Sequence, residues 1–162
     1  MSRLCIRTQW PIRFREQDYK YQKSAVLLLA NLKFSTAEKV FLDNNEACRL
    51  ATCHDATPHV VPVSYVFEDD IFYIATDYQT RKYENIKHNN KVALVVDVYS
   101  SVENKAVSVQ GTVELIERGH DFARLYGMFY ERFEWVRRYP WEEGGAPFIK
   151  ISPKSKVSWG LK

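Results

Sequence analysis

The sequence predicts a mainly β fold: a small, mostly antiparallel barrel with helices packed on it. Three features predict this. Short runs of β-branched and aromatic residues recur with turn signals between them, as in 49–54 (RLATCH), 59–67 (HVVPVSYVF) and 71–76 (IFYIAT). Residues 106–117 (AVSVQGTVELIE) alternate, so that Val107, Val109, Gly111, Val113 and Leu115 share one face. Gly111 within that run predicts a kink or bulge, a device that helps close a barrel. The chain has 162 residues, enough for one domain plus an arm, and its 46% hydrophobic content supports a sizeable core.

Taken in order, residues 1–35 lack clear periodicity and read as an N-terminal arm; residues 36–162 form the barrel domain. Ser35 and Glu38 fit a capping box, starting a short helix to about Asn45 that buries Ala37, Val40 and Phe41. Three strands at 49–54, 59–67 and 71–76 follow as a meander joined by short turns. Pro62 cannot donate to a ladder, so the second strand has an open edge or a bulge there. A short helix covers 81–88, and 92–99 (VALVVDVY) is a strand apolar enough to be central. After the alternating strand, Phe122, Leu125, Phe129, Phe133 and Val136 step along one face of a helix over 120–138, ended by Tyr139-Pro140. Final strand material at 148–151 and 156–159 is interrupted by Pro153.

The net charge of +3 is too small to argue for nucleic acid. It is also uneven: residues 1–35 carry seven Lys/Arg against two Asp/Glu, and the rest 16 against 18. The basicity thus sits in the arm, and the barrel is slightly acidic. The longest apolar run, 25–30 (AVLLLA), is far too short to span a membrane. Three cysteines, Cys5, Cys48 and Cys53, form no disulfide framework, which favours a cytoplasmic setting.

Common catalytic signatures (G-x-S-x-G, H-E-x-x-H, a Walker loop, G-x-G-x-x-G) do not occur. Cys48, Cys53, His54 and His59 lie close in sequence, but their spacing is not that of a zinc site, and no metal is expected. The informative segment is 76–86 (TDYQTRKYENI), where a strand ends at Thr76 and a helix starts near Thr80, Arg81 and Lys82. Two cations are unfavourable at the positive end of a helix. A bound anion, most simply a phosphate, gives a reason for them, with free backbone N–H groups and the hydroxyls of Thr76 and Thr80 as further donors. The bland alternative is a solvated basic surface with Thr80 as N-cap.

Residues 49–67 (RLATCHDATPHVVPVSYVF), 76–86 and 89–97 (NNKVALVVD) together resemble the pyridoxamine 5′-phosphate oxidase-like flavin-binding split barrels. The resemblance is best over 37–118 and less specific over 147–160. It implies a split β-barrel that binds FMN at the interface of a homodimer. The family's Thr-x-x-x-Ser-Arg-Lys phosphate motif falls on Thr76, Thr80, Arg81 and Lys82. Its second strand, lying along the flavin, falls on the backbone of Val61, Pro62, Val63 and Ser64. Trp159 aligns with C-terminal aromatics that approach the cofactor from the other subunit in some members; a core or interface Trp is the competing assignment.

Two departures count against pyridoxamine phosphate as substrate. Val61 stands where the vitamin-forming oxidases carry Arg, and the C-terminal Arg-x-His motif is missing from 158–162 (SWGLK). A sister branch that uses the deazaflavin coenzyme F420 also resembles the chain, but the intact Thr-Arg-Lys run favours FMN. The expectation is therefore an FMN-dependent oxidoreductase of a small molecule, with a deazaflavin reductase and a non-catalytic flavin- or haem-binding module as alternatives. Tyr65, Tyr78, His59 and Tyr126 are possible pocket residues, but packing or surface exposure is the simpler account of each. No general acid or base is nominated. The aromatic segment 122–141 suits either a dimer interface or a cap on the barrel.

Overall fold

The computed structural model describes residues 32–161, so the N-terminal arm up to residue 31 lies outside the described residues. At the start of the described chain, Phe34 is already buried and packs edge-on against Phe67 and Phe72. Helix α1, Thr36–Asp43, is capped as expected. The Ser35 Oγ accepts from the Glu38 amide at 3.3 Å, and a Glu38 carboxylate oxygen accepts from the Ser35 amide at 2.7 Å. Its buried face is Glu38, Phe41 and Leu42; Val40, expected inside, is exposed.

Strands β1 (Ala47–His54) and β2 (Thr57–Ser64) form a hairpin whose turn residues Asp55 and Ala56 both have positive φ. This is the left-handed pair that tight hairpins require. Strands β3 (Val66–Glu68) and β4 (Ile71–Ala75) form a second hairpin with positive φ at Asp69 and Asp70. Helix α2 is Arg81–His88, β5 is Lys91–Tyr99 and β6 is Asn104–Ile116. Helices α3 (His120–Arg132) and α4 (Glu134–Arg138) precede β7, Phe148–Trp159.

The seven strands form one sheet in the order β2-β1-β5-β6-β7-β4-β3, with every neighbouring pair antiparallel. The two ends of this order, β2 and β3, are separated in the chain only by Tyr65, so the sheet curls back on itself as a split barrel. This corrects the expected meander. The run 59–67 is not one strand: β2 pairs with β1 and β3 with β4, at opposite ends of the order. The chain is tied at the bend by Tyr65, whose amide donates to the Glu46 carbonyl (3.1 Å) and whose hydroxyl donates to the Leu42 carbonyl (2.6 Å).

β5 lies between β1 and β6, as its apolar run predicts. The register between β6 and β7 shifts at Gln110/Gly111. A Cβ on Gly111 would lie 2.6 Å from the Ser152 carbonyl oxygen, so the close approach of the two strands requires glycine. Pro153 does not interrupt the last strand: it pairs with Gly111 at this irregularity, where a missing donor is tolerated.

The barrel interior is filled by residues such as Leu50, Phe72, Ile74, Val96, Val107 and Ile151, each with essentially no exposed surface. A second apolar cluster lies under α3 and α4, where Phe122, Leu125, Phe129, Phe133 and Val136 meet Val66, Tyr73 and Phe148. All five predicted helix positions are buried, but the predicted single helix is two. Phe133 is extended (φ −115°, ψ 121°), closing α3 and opening α4. No helix among the described residues is long and apolar enough to cross a membrane.

Candidate functional site

The end of β4 and the start of α2 form one hydrogen-bonded unit. Thr76 is 5% exposed, and its amide donates to the Pro147 carbonyl at 3.0 Å. Thr80 is the N-cap of α2. Its Oγ1 accepts from the Tyr83 amide at 3.4 Å and donates to the Asp77 carbonyl at 2.8 Å. The Thr76 and Thr80 hydroxyls are 3.0 Å apart. A hydroxyl has one proton; with that of Thr80 given to Asp77, Thr76 is the donor of the pair. Both protons are therefore spent inside the turn. The hydroxyls expected as phosphate donors shape the site here instead.

What the turn leaves free is the first two amides of α2. The Tyr83 amide is taken by Thr80 Oγ1 and the Glu84 amide by the Thr80 carbonyl, whereas those of Arg81 and Lys82 have no partner among the described residues. Their side chains likewise make no ion pair or hydrogen bond among the described residues. Lys82 is half-buried, and its pKa is lowered: burial disfavours the ammonium, and Asp77 only partly offsets that. Arg81 is exposed. Two unpartnered N–H groups beside two unpartnered cations fit a dianionic phosphate.

The helix is held in register by a buried polar contact. The Asn85 side-chain amide donates to Thr52 Oγ1 on β1 at 3.0 Å, with both residues at most 5% exposed. Ile86 adds an apolar anchor to the core. Tyr83 and Tyr78 meet edge-on at 5.1 Å, and the Tyr83 hydroxyl donates to Glu117 at 3.3 Å.

Val61, Pro62, Val63 and Ser64 lie together on β2, an edge strand, as the proline predicts. Val61 is opposite Leu50 and Val63 opposite Cys48, so both valines face the barrel interior, and Val63 packs on the core. The outward row is Val60 and Pro62, with Val60 60% exposed. Trp159 stands elsewhere. Its indole N–H donates to Asn104 Oδ1 at 2.7 Å, and the ring is 42% exposed. Thr76 bonds to Pro147 at one end of β7 and Trp159 is at the other, eleven residues from Phe148 or roughly 35 Å of strand contour.

Cys48, Cys53, His54, Tyr65 and Tyr126 fall to packing or to the surface. Cys48 is buried on the core face of β1, which pushes its thiol pKa up to about 12, and Cys53 is half-buried. His54 stacks on His88 with ring centres 4.3 Å apart. No group of three or more His, Cys, Asp or Glu suited to a metal occurs among the described residues. Tyr65 is a core residue, and Tyr126, on α3, packs against the second apolar cluster.

Sequence reasoning missed a cavity of about 240 Å³ that shares Thr76 and Asp77 with the turn at the start of α2. Trp135, Tyr139 and Trp141 line its other side. Its one sequence signal was the density of aromatics after 133. A separate concavity of about 500 Å³, beside Cys53, Asn89 and Gly111, contains none of the predicted site residues.

Residues 34–157 match the pyridoxamine 5′-phosphate oxidase family. No curated protein matches the chain in sequence. Solved structures share the fold. A FAD-binding protein of Mesorhizobium loti superposes with a TM-score of 0.63 at 23% identity, over 77% of this chain and 94% of that one. A putative pyridoxamine 5′-phosphate oxidase of Listeria innocua gives 0.63 at 16% identity, over 78% and 99%. A haem storage protein of Vibrio cholerae gives 0.65 at 14% identity, over 80% and 96%.

Proposed function

The chain belongs to the pyridoxamine 5′-phosphate oxidase-like split-barrel family, and from that membership we propose that it is a flavin-binding oxidoreductase acting on a small organic molecule, with FMN as the flavin unit it holds. The observation that carries the proposal is the start of α2, where the Arg81 and Lys82 amides and side chains are all without partners among the described residues, beside the Thr76–Thr80 turn. Arg81 and Lys82 would hold the phosphate, and the edge of β2 at 61–64 offers backbone groups to the polar rim of the ring system. A bound flavin supplies the hydride chemistry itself. The chain's part is binding and orientation: Asn85 fixes α2 on β1, and Thr80 aims the helix amides. The family also has haem-storing relatives in fold, such as the Vibrio cholerae protein. The visible spectrum of protein purified without added cofactor separates the readings. A flavin spectrum is expected; a Soret band with no flavin would overturn the proposal.

A homodimer follows from the same reading. Trp159 is exposed and far along β7 from the phosphate cluster of its own chain, so a role at the cofactor requires it to come from a second copy. Sedimentation at micromolar protein should give a dimer; a monomer that still binds flavin would contradict the shared site.

A further inference from the structure

The cavity beside the phosphate cluster has a composition unlike an anion site. Trp135 and Trp141 stack in parallel, with ring centres 5.9 Å apart and planes 6° from one another. Tyr139 closes another side. Trp135 is 40% exposed and Tyr139 70%, a large aromatic surface left to water at a concave site. Among the described residues, the one charged residue in the lining is Asp77, a hydrogen-bond acceptor, and no Lys, Arg or His lines the cavity. At about 240 Å³ it is too small for a whole drug-sized ligand and suits a single planar ring system. Thr76 and Asp77 belong both to this lining and to the turn that presents the phosphate site.

We propose that this cavity is an adenine subsite, so that the phosphate held at Arg81 and Lys82 is one end of a pyrophosphate and the chain prefers FAD to FMN. Aromatic walls stack on a base of any identity, and a carboxylate accepts from an exocyclic amine or a ribose hydroxyl. The proposal rests on the flavin reading above.

Its test is a titration of the flavin-free full chain with FAD and with FMN, in the wild type and in Trp135→Ala and Tyr139→Ala. Both aromatics are substantially exposed, so at least one variant should fold normally. Stacking on one base is worth roughly 1–3 kcal/mol, or about 5- to 150-fold. FAD is expected to bind at least about tenfold more tightly than FMN, and the variants to lose most of that advantage with FMN affinity unchanged. Equal affinity for the two flavins, or an FAD advantage that survives both substitutions, overturns the adenine subsite and leaves the flavin reading standing. Binding of neither flavin overturns both. Trp135-dependent binding of NADH without any FAD advantage would overturn the assignment to the flavin's own adenosine.

Discussion

Replacing Glu38 by alanine is expected to destabilise the domain by about 3–5 kcal/mol, the cost of stripping one partner from a buried ion pair. Glu38 is 4% exposed and serves three partners at once. It closes the capping box on the Ser35 amide, accepts from Lys156 at 2.6 Å through both oxygens, and accepts from the Ser158 hydroxyl at 2.8 Å. Without it the Lys156 ammonium, on a side chain only 17% exposed, keeps just the Phe34 ring 5.2 Å away. For a domain of this size each kcal/mol shifts the melting temperature by roughly 2–4 °C, so a drop on the order of 10 °C is expected. Thermal or urea unfolding measures it, and a loss below about 1 kcal/mol would mean the pair behaves as a screened surface bridge. Lys156→Met in the Glu38→Ala background should recover part of the loss, because it removes the stranded charge.

The same carboxylate gives the acid limb of stability a definite sign. Burial alone would raise the Glu38 pKa, but the hydrogen bonds from Lys156, Ser35 and Ser158 outweigh it, and the net shift is downward. The stabilisation is therefore complete above the ordinary carboxylate pKa and is lost as pH falls through the lowered value. Glu38→Gln should flatten that part of the pH profile.

Replacing Lys82 by alanine is expected to weaken flavin mononucleotide binding by about 10- to 100-fold, corresponding to roughly 1.5–3 kcal/mol for a charge-assisted contact. Lys82 is the half-buried cation of the α2 start, without an ion-pair partner among the described residues, and burial has lowered its pKa. A phosphate favours the charged form and offsets the desolvation. Arg81 is exposed and better hydrated, so Arg81→Ala should cost less. Fluorescence titration of the variants measures both, and unchanged affinity in Lys82→Ala would remove the phosphate assignment. Folding should be unaffected, because the side chain makes no ion pair or hydrogen bond among the described residues.

Much of this architecture was legible in the residues. The box at Ser35 and Glu38, the N-cap at Thr80, the open edge at Pro62 and the irregularity at Gly111 are local devices, and local chemistry sets them. The split of 59–67 was hidden because its apolar pattern runs unbroken through Tyr65, while the bend is held by distant partners at Leu42 and Glu46. The break at Phe133 was hidden for a related reason: the buried face is kept on both sides of it, so the spacing of Phe129, Phe133 and Val136 still reads as one helix. The proposed phosphate residues Thr76, Thr80, Arg81 and Lys82 lie within one short stretch and so were visible together. The aromatic cavity was not, because Thr76 and Trp135 are brought together only by the return of the chain from α4 to β7. The proton accounting at Thr76 and Thr80 also needed coordinates, since a threonine hydroxyl in sequence is equally donor or acceptor.

The central claim is that a phosphate on the flavin is what the chain recognises, and the most direct measurement compares FMN with riboflavin, which carries the same ring without the phosphate. With two cations and two free amides committed to that group, the wild-type chain should bind FMN at least about 100-fold more tightly than riboflavin, and Lys82→Ala should narrow the gap. Equal affinity for the two, with or without Lys82, would contradict the account.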